Sequence, residues 1–102
     1  MASEREPYAP KIVLCTPLTK SEALASFVED CLRNKVVLVA VVGDGCEHIE
    51  DLIDELVIGD GSDPTRFIVT SSHPKESIGE VLSFAAAWVC EDGRDGVQKI
   101  VL

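Results

Sequence analysis

Seven consecutive apolar residues, Val36-Val37-Leu38-Val39-Ala40-Val41-Val42, run into Gly43-Asp44-Gly45 and then into a stretch with helical spacing. A strand that alternates apolar and polar positions can leave one face wet, but a run with no polar position must be covered on both faces. Strand, tight turn and amphipathic helix in that order form the elementary unit of a parallel α/β sheet. No other stretch limits the fold as strongly.

The same unit recurs on either side. Residues 11–16 read as a first strand closed by Pro17, and Thr19-Lys20-Ser21-Glu22 has the spacing of a capping box. Leu24, Phe27, Val28, Cys31 and Leu32 then fall on one helical stripe that Asn34 stops. The helix after the central strand buries Ile49, Leu52, Ile53, Leu56 and Val57 and carries Glu47, Glu50, Asp51, Asp54 and Glu55 on its outer face. Residues 66–70 are expected as a third strand, followed by a helix with Ile78, Val81, Leu82, Ala85 and Val89 inward, and residues 98–102 as a short last strand. The order β-α-β-α-β-α-β predicts a single three-layer, Rossmann-like α/β domain over residues 11–102. Its four-stranded sheet is mostly parallel, with helices on both faces. Residues 1–10, polar and with two prolines, read as a flexible tail and not as a secretory signal.

Charge narrows the partners. The chain of 102 residues has 18 acidic and 9 basic residues, a net charge of −9, and its lysines and arginines stand singly. Nucleic acid and anionic membrane both demand basic clusters, so neither is expected. No apolar run approaches the roughly 20 residues of a membrane-spanning helix. The four cysteines, Cys15, Cys31, Cys46 and Cys90, form no Cys-x-x-Cys pair and read as reduced thiols of a cytoplasmic protein.

Ligands of open α/β sheets bind beyond the carboxyl ends of the strands. Here those ends are Cys15-Thr16-Pro17, Gly43-Asp44-Gly45-Cys46 and Thr70-Ser71-Ser72-His73. The first glycine pair lacks both the third glycine of a dinucleotide fingerprint and the lysine of a P-loop, and Asp44 and Glu47 would repel a phosphate. The glycines are explained by a turn that needs positive φ. Cys46, at a helix start, is either a half-buried structural residue or a thiol activated by His73. His73, before Pro74, is either a cap of the third helix, together with Ser72 and with Glu76 in the first turn, or a general base oriented by Asp44 or Glu76. Gly43, Asp44, Cys46, Thr70, Ser71, His73 and Glu76 are therefore the ligand-binding candidates, with Cys46 and His73 the candidates for chemistry. Cys46-x-His48 is too short for a zinc pattern, and Asp60-Gly61-Ser62-Asp63 lacks a calcium loop's spacing, so neither a metal nor a cofactor is expected. From Asp44 to Asp63 there are eight acidic residues and no basic one. That face is either merely solvated or a docking surface for a basic partner through Glu50, Asp51 and Asp54.

Two stretches resemble a family of small bacterial domains of unknown function. One is Gly43-x-x-Cys46 with Asp51 and Asp54. The other is Arg66-Phe67-x-x-Thr70-x-x-His73-x-x-Glu76-x-x-x-Glu80-Val81, continuing to Phe84-Ala85. The family carries tryptophans where this chain has Val42 and Ser72, so the resemblance implies no aromatic-lined pocket here. It directs interest to the loops of Cys46 and His73 and implies no activity. The sequence does not determine a function. The reading it favours is a small acidic cytoplasmic interaction or regulatory module without catalysis, with a protein partner or a second copy bound through the last strand. The alternative is a small enzyme or ligand binder using Cys46, Thr70 and His73.

Overall fold

The structure, a computed structural model, describes residues 8–90 and 93–102. Strand β1 (Lys11–Thr16) leads through a 3-10 turn (Ser21–Ala23) into helix α1 (Leu24–Arg33), then β2 (Leu38–Gly43), α2 (Cys46–Ile58), β3 (Val69–His73), α3 (Ile78–Ala87) and β4 (Val97–Val101). All three strand pairings are parallel, and the order across the sheet is β3-β2-β1-β4. The expected α/β fold is present. The chain steps outward from β1 to β3 and then returns past β1 to β4, which sends α3 to the opposite face from α1 and α2.

The two faces have separate cores. Ile12 and Leu14 of β1 and Val39 and Val41 of β2 meet Leu24, Phe27, Val28 and Cys31 of α1 and Cys46, Ile53 and Val57 of α2. Val13, Leu38, Ala40 and Val42 meet Val81 and Ala85 of α3. The unbroken apolar run thus serves both faces of an interior strand. Tyr8 stacks at a tilt on Phe27, Ala9 N–H donates to Gln98, and the Pro10 carbonyl accepts from Val37. Residues 8–10 are therefore part of the domain, and the remainder of the expected tail, residues 1–7, lies outside the described residues.

Three local expectations are corrected. The third strand lies at Val69–His73 and not at residues 66–70. Pairing with Leu38–Val42 sets its register. Arg66 is diverted: its Nε donates to the Val57 carbonyl at 2.8 Å, and its Nη2 donates to the Leu56 carbonyl at 2.9 Å and to Glu29 at 2.7 Å. Phe67 is left 72% exposed. An edge strand, half in water, accepts the polar run Thr70-Ser71-Ser72 that an interior strand would not. Thr19 does not cap α1, because both its N–H and its hydroxyl donate to the Leu102 carbonyl. Nor do His73 and Ser72 cap α3. That cap is the reciprocal box of Ser77 and Glu80, and Pro74 sits in the preceding turn.

Lys11 opens β1 with its side chain 2% exposed. Its ammonium donates to the Trp88 carbonyl at 2.8 Å and the Ala86 carbonyl at 3.4 Å, and Asp95 lies 3.7 Å away. Lys11 therefore closes the carboxyl end of α3 as Arg66 closes that of α2, both at the amino ends of the strands.

Candidate functional site

Two of the carboxyl-end crevices are closed by backbone contacts. Thr16 Oγ1 donates to the Val42 carbonyl at 3.0 Å, which ties the end of β1 to that of β2. Gly43 lies so near that a Cβ there would stand 2.3 Å from the Thr16 carbonyl oxygen, and its φ of +114° suits glycine. Asp44 and Gly45 form the exposed turn beyond, with Gly45 in the left-handed region as the residue before α2. The switch point between β1 and β4, where such sheets bind ligands, is occupied by the Thr19–Leu102 hydrogen bonds.

The structure separates Cys46 from His73. Cys46 is 1% exposed in the core between the sheet, α1 and α2. His73 lies on the other face, with its ring centroid 4.8 Å from that of Phe84 in α3. The alternation of side chains along β3 divides the remaining candidates in the same way. Thr70 faces α2, where its hydroxyl lies 2.6 Å from Asp54 and 3.0 Å from Glu50. Those two half-buried carboxylates are thus turned toward β3 and away from the outer face, on which Asp51 stays exposed.

Ser71 and His73 face α3, and here the geometry is specific. Ser71 Oγ lies 2.8 Å from His73 Nε2, and His73 Nδ1 lies 2.6 Å from Glu76 Oε1. A carboxylate only accepts, so Nδ1 carries the proton and Nε2 accepts from the serine hydroxyl in the neutral ring. His73 is 8% exposed, whereas Ser71 is half-buried. The imidazole is held on three sides, by Ser71, Glu76 and the Phe84 ring. Sequence reasoning grouped Thr70 with His73. The period of two along a strand places Ser71 there instead, once the strand is extended to His73.

A second feature lies on the opposite face. A groove of about 890 Å³ runs between α1 and α2. Leu24, Leu52, Leu56 and Ile58 line it, and Glu22 and Glu55 stand exposed beside them. Arg66 also reaches the groove, but its charge is matched by Glu29, whose carboxyl the hydrogen-bonded guanidinium holds below its ordinary range. The groove was missed in the sequence because only the pairing of two helices creates it. Among the described residues no group of three or more His, Cys, Asp and Glu side chains could hold a metal ion. No helix among them is long and apolar enough to cross a membrane.

No curated protein and no solved structure matches the chain. A family model, Domain of unknown function (DUF7684), matches residues 2–99. The match takes in both strand-end motifs and all three helices, and the chain belongs to that family.

Proposed function

We propose that this domain is an acidic interaction module of the cytoplasm and that it takes a basic amphipathic helix into the groove between α1 and α2. One observation carries the reading: the floor of the groove is apolar, mostly leucine, and among the described residues its rim charges outside the Arg66–Glu29 pair are glutamates. Apolar floor and charged rim is the arrangement by which grooves receive a helix, with the floor supplying affinity and the rim supplying sign and encounter rate. A second copy of a chain of net charge −9 would set acid against acid here, so a basic partner suits the groove better than self-association. Cys15, Cys31 and Cys46 are thiols, which fits a reducing compartment.

The test is titration of the domain with a short helical peptide of leucine and lysine, followed by fluorescence anisotropy. Glu22→Lys with Glu55→Lys reverses the rim. Glu47→Lys with Asp51→Lys makes the same change of net charge on the outer face of α2. We expect the rim variant to lose about tenfold in affinity, roughly 1.4 kcal/mol, and the outer-face variant to lose little. Equal losses in the two variants, or no binding by the parent domain, would overturn the proposal.

A further inference from the structure

We propose that Ser71, His73 and Glu76 form a nucleophile, a base and a positioning acid, and that the site cleaves small uncharged esters by acyl transfer through Ser71. This activity is independent of the groove, which lies across the sheet. The hydrogen bonds run in the required order. Nucleophile to base spans 2.8 Å and base to acid 2.6 Å, and the carboxylate selects the tautomer whose Nε2 takes the serine proton. Two further observations point to a reacting group here. Helix α3 packs chiefly on β1, β2 and β4, which leaves the β3 side of that face open beside Ser71. Phe84, 37% exposed where it covers His73, gives that opening an apolar wall for an acyl chain.

The edge position supplies the remaining donor. Val69 N–H donates to the Val37 carbonyl, so alternation along a parallel strand turns the N–H groups of Thr70 and Ser72 outward, away from β2. Ser72 N–H, on the residue after the nucleophile, is then available to a developing oxyanion. The neighbouring Glu76 and Glu80 disfavour anionic substrates, which selects an uncharged ester.

In the reaction, Ser71 Oγ bonds to the ester carbonyl carbon as its proton passes to His73 Nε2. The bond from that carbon to the alkoxy oxygen breaks, the departing alcohol takes the proton from Nε2, and Ser71 is left acylated. A water then gives its proton to Nε2 and attacks the acyl carbon. The bond from the acyl carbon to Ser71 Oγ breaks, Oγ takes the proton back from Nε2, and a carboxylic acid leaves.

The experiment is timed labelling of the intact domain by an alkyl fluorophosphonate, which joins an activated serine with loss of fluoride, mapped by peptide mass spectrometry. We expect one adduct, on Ser71, that is absent from Ser71→Ala. His73→Gln should lower its rate by about 10²–10⁴-fold. Glu76→Gln keeps an acceptor for Nδ1 but removes the charge that stabilises the imidazolium formed as Ser71 reacts, so it should slow labelling, and Glu76→Asp should restore part of the rate. Glu76 is half-exposed, so these variants are expected to fold even where His73→Gln does not. No adduct on the parent domain, an adduct elsewhere, or a Ser71 labelling rate unchanged by Glu76→Gln would each overturn the proposal.

Discussion

At the scale of single residues, Gly43 is the position with least freedom. An added Cβ meets the Thr16 carbonyl oxygen at 2.3 Å, and that carbonyl belongs to the neighbouring strand of the same sheet, so it cannot swing aside. Gly45, two residues on, also has a positive φ, but nothing lies within 4 Å of its Cβ position. Gly43→Ala should therefore cost about 3 kcal/mol or more, strain and overlap together, against about 1 kcal/mol for Gly45→Ala, where strain acts alone. Urea unfolding midpoints of the two variants check the difference. The need for glycine was legible in both cases from the turn. Which glycine also guards a close approach was not, because Thr16 lies far away in sequence.

At the scale of elements, Arg66 shows how much one side chain can organise. It donates to two carbonyls at the end of α2 and joins Glu29 of α1. The ion pair is largely exposed and worth little by itself, whereas charge-assisted bonds to carbonyls without a helical partner are worth more. Arg66→Ala should thus lower the unfolding temperature clearly more than Glu29→Gln, which removes the ion pair alone. Thermal unfolding of both variants tests this, and equal effects would assign the role to the ion pair. The same residue explains why β3 was misplaced. Arg66 and Phe67 read as the start of a strand, yet the arginine is spent on α2 and the strand begins at Val69. Helix starts were legible only in part. Thr19-x-x-Glu22 and Ser77-x-x-Glu80 share one pattern, but only the second caps, because the Thr19 hydroxyl is used by Leu102. Pro74 drew the expected start of α3 upstream and hid the true box. Moving that start is also what freed Glu76 to meet His73.

At the scale of the whole molecule, the chain order of elements and the two-sided burial of β2 were legible, and they are what the sheet required. Strand order was not, since parallel crossovers of similar length permit several arrangements. The larger core, between the sheet, α1 and α2, contains Cys31, whose thiol burial pushes from 9.0 up to about 12, with the Asp30 charge adding to the rise. A thiol held neutral in the folded chain and free to ionise in the unfolded one withdraws stability as pH climbs. Its contribution is whole below 9.0 and is lost toward about 12. The free energy of unfolding should accordingly fall over that window, and the fall should be shallower in Cys31→Ala. Alkylation of Cys31 should track global unfolding, whereas half-exposed Cys15 should react in the folded protein. Chemical denaturation at stepped pH, with trapping of each thiol, measures both.

The two cations that close α2 and α3, Arg66 and Lys11, stand at the amino ends of the strands. Arg33, Lys35 and Arg94 belong to that end too, by their places at the end of α1, just after it and before β4. Asp44, Glu47, Glu76 and Glu80 gather at the opposite end, in the turns and first helical turns beyond β2 and β3. The cations at the amino ends are matched by acids beside them: Glu29 bonds Arg66, Asp30 bonds Arg33, and Asp95 lies 3.7 Å from Lys11. A positively charged surface therefore finds those cations already neutralised and is drawn to the acidic excess that the rest of the chain carries.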